Sequence, residues 1–291
     1  MRIHSPEITD EIELKNNCNI IPRMKIFFNG GSMKHTRVFY FSATGNSLDA
    51  ARMISSGIKG SEIISMADKF PKKPIGGKNE AVGFVFPVYF EGMPRIVKRF
   101  IENLNIKPDT YCFAVATYGG SYMNTLGSVD TLLKTKGLLL SYGSTVRMPG
   151  NYLTMYNPPS RVRVKSMLEK SRKTLMKVTK NILAEKIKIP KQRFVFISNY
   201  FNKVIYTGIG KWERNFHVSD KCTGCGICAK VCPVDNIKIK SKRPVWGSEC
   251  ERCVACISWC PEKAIDFARK TKGRRRYNNP NVKLKDIARK K

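Results

Sequence analysis

The chain has 291 residues, which by usual domain sizes predicts about two domains, and 42% of them are apolar, enough for a buried core. Lys and Arg number 53 against 22 Asp and Glu, a formal charge of +31 that steers acidic proteins, anionic surfaces or nucleic acid toward the molecule at low salt and says nothing about fold. No apolar run approaches the ~18 residues of a membrane span and no signal-peptide stretch opens the chain, so neither a membrane-spanning nor a secreted protein is expected, and a cytoplasmic one is.

Residues 1–33 read as an N-terminal extension. Glu7, Asp10, Glu11 and Glu13 are acidic in a basic chain, and Ile20, Ile21, Ile26, Phe27 and Phe28 follow no period. Asn29-Gly30-Gly31-Ser32 before Met33 is what a ribosome-binding site would encode if translated, so a disordered arm or a true start at Met33 is expected.

From residue 34 to 190 the pattern is regular. Val38–Phe41, Ala81–Phe86, Tyr111–Ala116 and Leu138–Val146 are buried-strand runs, and Glu62–Met66 adds a further strand. Between them, apolar residues at helical spacing predict helices through Leu48–Ile54, Ile96–Ile101 and Met123–Leu133. A long helix over 161–187 follows, with Val164, Leu168, Leu175, Val178 and Ile182 on one stripe, and Pro190 stops it. Continuous apolar strands alternating with helices predict an α/β fold with a doubly wound parallel sheet. Residues 191–214 read as an aromatic and basic connector, 215–268 as a small cysteine-rich α+β domain, and 269–291, with Arg274-Arg275-Arg276, as a solvated basic tail.

Between the first strand and its helix lies Ser42-Ala43-Thr44-Gly45-Asn46-Ser47. Hydroxyls, a glycine and the free N–H groups of a first helical turn converge there, an arrangement suited to a phosphate monoester. No lysine is present, so a Walker-type triphosphate site is excluded. A plain helix cap with nothing bound is the competing reading.

Eight of the ten cysteines fall in two runs of one form, Cys222-x2-Cys225-x2-Cys228-x3-Cys232-Pro233 and Cys250-x2-Cys253-x2-Cys256-x3-Cys260-Pro261. This is the spacing of bacterial two-cluster ferredoxins, in which the fourth cysteine of each run serves the other cluster. Carried onto this chain, Cys222, Cys225, Cys228 and Cys260 hold one 4Fe-4S cluster, and Cys250, Cys253, Cys256 and Cys232 the other. Gly224 and Gly226 suit such a loop, where backbone approaches an inorganic core. Paired zinc sites do not use a doubled four-cysteine run, and a disulfide framework belongs to secreted chains.

The strand, phosphate-loop and cysteine patterns together resemble a known arrangement. Residues 36–187 are similar to flavodoxin-like domains, whose phosphate loop reads S/T-x-T-G-x-S/T, and the fusion to a two-cluster ferredoxin resembles the anaerobe family of EFR1 ferredoxins, from about Lys34 to Phe267. The resemblance implies FMN, with Ser42, Thr44, Gly45, Asn46 and Ser47 at its phosphate. It implies that the loops holding Pro87, Tyr89 and Phe90 and holding Thr117, Tyr118, Gly119 and Gly120 meet the ring, flanked by Tyr89 and Tyr118. Both loops follow carboxyl ends of parallel strands, where open α/β sheets bind ligands. They lack the acidic surround of short-chain flavodoxins.

Cys112 reads as an inert core thiol, and His4, His35 and His217 are scattered. Met148-Pro149-Gly150-Asn151-Tyr152 either closes the pocket or is a turn. No Ser, Cys or carboxylate constellation suggests hydrolysis. The expected function is electron transfer between two 4Fe-4S clusters and FMN, with acidic redox proteins as partners. Lysines and arginines around the cysteines predict potentials above those of acidic ferredoxins. One alternative is an iron–sulfur binding module with an empty flavodoxin-like domain, whose basic residues among aromatics at Phe194–Trp212 and Arg274–Tyr277 bind an acidic partner or nucleic acid, and another is an oxidoreductase that reduces a small molecule at the flavin, for which the loops name no substrate.

Overall fold

The computed structural model describes residues 33–68, 70–190, 200 and 213–289. The readings made for residues 1–32 and, Tyr200 apart, for Phe194 to Trp212 lie outside the described residues. The first domain runs β1 (His35–Tyr40), α1 (Asn46–Ser56), β2 (Ser61–Ser65), β3 (Glu80–Pro87), α2 (Arg95–Asn103), β4 (Tyr111–Tyr118), α3 (Thr125–Lys134), β5 (Leu140–Arg147) and α4 (Arg161–Leu183). The strands pair in parallel in the order β2-β1-β3-β4-β5. The alternating pattern predicted the doubly wound parallel sheet, and this strand order is the flavodoxin-like one that the resemblance implied.

The apolar strand runs are continuous because both faces of the sheet are covered. Phe39, Phe41, Val82, Phe84 and Phe86 face α2 and α3 through Val97, Phe100, Val129 and Leu133. Val38, Ala81, Val85, Phe113 and Val115 face α1 and α4 through Ala51, Ile54, Leu175 and Ile182. A side-chain period of two thus splits each strand between two cores. Helix α4 stops at Leu183, short of the predicted residue 187, because Glu185 turns the chain with φ 45°. Lys188 then donates its N–H to the Ser141 carbonyl at 2.7 Å and accepts from the Gly143 N–H at 3.0 Å. The last turn of the predicted helix instead covers the outer edge of β5.

The second domain runs β6 (Phe216–Val218), α5 (Ile227–Lys230), β7 (Ile237–Lys240), β8 (Arg243–Trp246), α6 (Ala255–Ser258) and β9 (Ile265–Phe267), and a last short helix α7 (Leu284–Ile287) follows. Strands β6 and β9 pair antiparallel, as do β7 and β8. Ile237, Ile257, Ile265 and Phe267 form its core, which Leu153 of the first domain joins.

The solvated tail is not what the chain makes. Thr271, Tyr277, Asn279 and Val282 are buried. Its arginine run is engaged within the fold: Arg274 donates to the Leu153 carbonyl at 2.6 Å, Arg275 to the Pro158 carbonyl at 2.6 Å, and Arg276 to Asp266 at 2.7 Å. A count of charges in sequence cannot show which carbonyls the fold brings within reach.

The two domains are joined directly. Trp259 donates its indole N–H to the Ala43 carbonyl at 2.9 Å, and Arg95 donates to the Cys250 carbonyl at 3.0 Å. Arg99 pairs with the buried Glu251 carboxylate at 3.1 Å. Burial raises the Glu251 carboxyl above its ordinary range, while Arg95 and Arg99 beside it pull the other way.

Candidate functional site

A cavity of about 720 Å³ opens at the carboxyl ends of β1, β3, β4 and β5, within the size range of cofactor sites. The residues singled out in the three loops all line it except Gly45: Ser42, Thr44, Asn46 and Ser47, then Pro87, Tyr89 and Phe90, then Thr117, Tyr118, Gly119 and Gly120. Met148 to Tyr152 line it as well.

The loop before α1 is held by its own hydroxyls. Gly45 donates its N–H to Ser42 Oγ at 3.2 Å, and Ser47 Oγ lies 2.8 Å from Thr117 Oγ1, tying this loop to the end of β4. Asn151 donates to Thr44 Oγ1, and Asn46 Nδ2 donates to the Pro149 carbonyl at 3.0 Å. No side chain caps α1. Its first N–H groups and the positive end of its dipole are therefore left to favour an anion. Gly45 takes φ 102°, and a Cβ there would lie 2.9 Å from Asn279 and Val282, so it faces the C-terminal segment instead of the cavity.

The loop after β3 is a two-residue turn. Tyr89 and Gly92 exchange backbone hydrogen bonds at 3.0 Å, with Phe90 at φ 49° and Glu91 at φ 62°. Non-glycine residues in that region cost about 1–2 kcal/mol each, so strain is stored at the mouth of the cavity. Phe90 packs edge-on against Tyr152 at 5.2 Å, and burial pushes the Tyr152 hydroxyl up to about 12. After β4, a Cβ on Gly119 would stand 2.7 Å from Gly150 Cα, whereas one on Gly120 would meet nothing within 4 Å. The cavity is thus lined by hydroxyls and the uncapped start of a helix, by aromatic rings and by bare backbone.

The cysteines form two groups of four, each drawn from both runs. Cys222, Cys225, Cys228 and Cys260 line one small cavity. Burial pushes the Cys228 thiol up to about 11, with the charges of Cys225, Cys260 and Cys222 adding to it. Burial likewise raises Cys253 well above its ordinary value, and the charges beside it are those of Cys232, Cys250 and Cys256. Thiolates gathered in so apolar a place are costly until a cationic centre compensates them. Among the described residues no disulfide joins them and no three His, Cys, Asp or Glu side chains close on a single-ion site.

Apart from Gly224 and Gly226, the other features of this region carried no sequence signal. Backbone N–H groups of Asn236, Arg252 and Ala264 donate to the Sγ atoms of Cys232, Cys250 and Cys260 at 3.3, 3.4 and 3.3 Å. Gly224 and Gly226 take φ 72° and 74°, and in the second run Arg252 and Val254 take 55° at the same places. Arg252 is buried, with its charge near Cys250 and Tyr152. Cys253 lines the large cavity. A cysteine of the second group is thereby part of the wall that the loop residues share. Cys112 is a core thiol whose burial raises it to about 12, too high for a reactive thiolate.

Comparison with known proteins supports 4Fe-4S binding in the cysteine-rich region, the matched segment covering the first run. Residues 216–238 match the model of the 4Fe-4S binding domain. The chain is 32% identical over 63 residues to a ferredoxin of Pyrobaculum islandicum, covering 21% of this chain and 58% of that one. It is 42% identical over 53 residues to an uncharacterized protein of Methanocaldococcus jannaschii, covering 18% of this chain and 20% of that one. The chain therefore spans less than two thirds of the length of either relative. Among solved structures it is similar to an azoreductase from Bacillus anthracis (TM-score 0.35, 11% identity, 50% of this chain and 98% of that one). It is also similar to rubredoxin oxygen:oxidoreductase from Desulfovibrio gigas (TM-score 0.30, 14% identity, 53% and 38%). The fold assignment stands on the strand order itself. Among the described residues no helix is long and apolar enough to cross a membrane.

Proposed function

We propose that the protein is an electron-transfer iron–sulfur flavoprotein of the fused flavodoxin–ferredoxin kind its sequence resembles, with two 4Fe-4S clusters and FMN. The observation that carries this reading is Cys253, which belongs to the second cysteine group and also lines the cavity. A cluster in that group and a ligand in the cavity share a wall.

The residues present fit the groups assigned to them. The uncapped start of α1 and the hydroxyls of Ser42, Thr44 and Ser47 suit the FMN phosphate, and Tyr89, Tyr118 and the open backbone at Gly120 suit a planar ring. Bound flavin exchanges electrons singly or in pairs, whereas a cluster exchanges one. The chain's own part is to hold, orient and shield. Tyr152 and Phe90 pack edge-on in the cavity wall, and the N–H groups on the cysteine sulfurs stabilise negative charge there.

Buried Arg252 does the same with a full charge. Arg252→Gln is expected to lower the midpoint potential of the second-group cluster by on the order of 50 mV, because removing a cation disfavours the more negative, reduced state. Potentiometric titration with spectral monitoring reads this, and an unchanged or raised midpoint contradicts it.

Partners meet the first group. Cys225 is exposed, and Lys221, Lys240, Lys242 and Lys263 around it are exposed too, whereas nearby Asp220 is neutralised by Arg243 at 2.9 Å. The Lys242 carbonyl lies against Gly224, which brings this basic rim to the cysteine loop itself. An acidic redox protein fits that face, with exchange slowing as salt rises.

Anaerobic purification followed by iron, sulfide and acid-released flavin determination tests the whole reading. About eight irons and one FMN per chain are expected. About eight irons with no FMN, even after its addition, would leave an iron–sulfur binding module on an empty scaffold. The nucleic-acid version of that alternative gains no support from Arg274, Arg275 and Arg276, whose guanidinium groups are engaged within the fold.

A further inference from the structure

We propose that residues 274–289 are a strap that holds the phosphate loop of the cavity in its binding shape, with Asn279 and Tyr277 as positioning residues. The proposal rests on the FMN reading above. Asn279 donates its backbone N–H to the Thr44 carbonyl at 2.8 Å, and its amide donates to Asn46 Oδ1 and to Asp49 Oδ2, each at 3.1 Å. Tyr277 donates its hydroxyl to the same Asn46 Oδ1 at 2.7 Å. Asn46 passes the connection on through its Nδ2 to the Pro149 carbonyl at 3.0 Å. One asparagine thereby joins the phosphate loop, the loop after β5 and the strap.

The network decides what the loop presents to the cavity. The Asn46 side chain, which the resemblance offers to the phosphate, is consumed by the strap and Pro149, so an anion is left the N–H groups of α1 and the hydroxyl protons of Ser42 and Thr44, whose oxygens accept within the loop. Gly45 can be nothing larger, because Asn279 and Val282 occupy the place of its side chain. The strap is pinned at both ends. Arg276 holds Asp266 at 2.7 Å near its start, and Arg289 donates its N–H to the Lys230 carbonyl at 2.9 Å at its end. Arg52 and Asp286 pair at 3.0 Å between these points. Both pins are in the cysteine domain, so the shape of the phosphate loop is tied to the docking of the two domains. By linkage, phosphate bound in the loop and a docked strap stabilise each other to the same extent.

FMN and riboflavin, which differ by the phosphate, are the probes. In the full chain, Asn279→Ala is expected to weaken FMN binding between about 10- and 100-fold while riboflavin binding changes less than about 2-fold, with iron content as in wild type. Tyr277→Phe, which keeps the ring in place, is expected to weaken FMN binding by about 3- to 10-fold with the same indifference to riboflavin. Fluorescence quenching gives both constants, and hydrogen exchange over 277–287 is expected to slow when FMN is added. Equal loss of FMN and riboflavin, or FMN binding as tight as wild type in both variants, overturns the strap proposal while leaving the cofactor reading intact. Wild-type protein that binds neither flavin overturns both.

Discussion

Cys232→Ser combined with Cys253→Ser is expected to leave about four irons per chain, whereas Cys232→Ser combined with Cys222→Ser is expected to leave almost none. The two pairs have the same chemistry and differ only in whether both residues serve one cluster. Cys232 and Cys222 are in the same run, so a model with one cluster per run makes the opposite prediction. The grouping that favours crossing is physical: Cys260 shares a cavity with Cys222, Cys225 and Cys228, and the charges nearest Cys253 include that of Cys232. Iron analysis of the two double variants reads the outcome, and almost no iron in the Cys232/Cys253 pair contradicts the crossing.

Gly45→Val is expected to abolish FMN binding and to destabilise the first domain by about 2–4 kcal/mol. Two costs add. The backbone at φ 102° is outside the range β-branched residues adopt, and the side chain would overlap Asn279 and Val282, whose atoms stand 2.9 Å from the Cβ position. The loop relaxes only by giving up the strap or the turn into α1, and both define the anion site. Gly45→Ala meets the same neighbours with fewer atoms and is expected to show a smaller loss of the same kind. Chemical denaturation and flavin titration measure the two effects. A Gly45→Val chain as stable and as well loaded as wild type would remove the strap and the loop geometry from the account.

What was legible in the sequence follows the range of the forces that set it. The parallel sheet announced itself because strands covered on both faces must be continuously apolar, and the runs ending in Phe86 and Ala116 are that. The cysteine runs were legible because ligand spacing within a loop is a local matter. The loops at Ser42, Tyr89 and Tyr118 could be placed at one sheet edge from topology alone, and they do line one cavity. The rest depended on contacts between distant residues. Asn279 meets Thr44 across the chain, Cys253 reaches the cavity only once the domains dock, and the basic residues 274–276 were read as solvated because nothing local names Leu153, Pro158 and Asp266 as their acceptors. The end of α4 was missed for a related reason: residues 184–187 have helical composition, but pairing of Lys188 with the edge of β5 outweighs it. Arg252 and Val254 in left-handed backbone, where the first run has glycines, show a ligand loop holding a shape that its residues do not prefer.

The central claim is that clusters and cavity cofactor exchange electrons within one chain, through the wall that contains Cys253. Anaerobic stopped-flow mixing of the fully loaded protein with less than one equivalent of reductant, followed at cluster and flavin wavelengths over a tenfold range of protein concentration, tests it most directly. The account predicts a redistribution phase between clusters and flavin whose rate constant does not change with protein concentration. A redistribution rate that rises in proportion to concentration would mean that electrons pass only between molecules, and would contradict it.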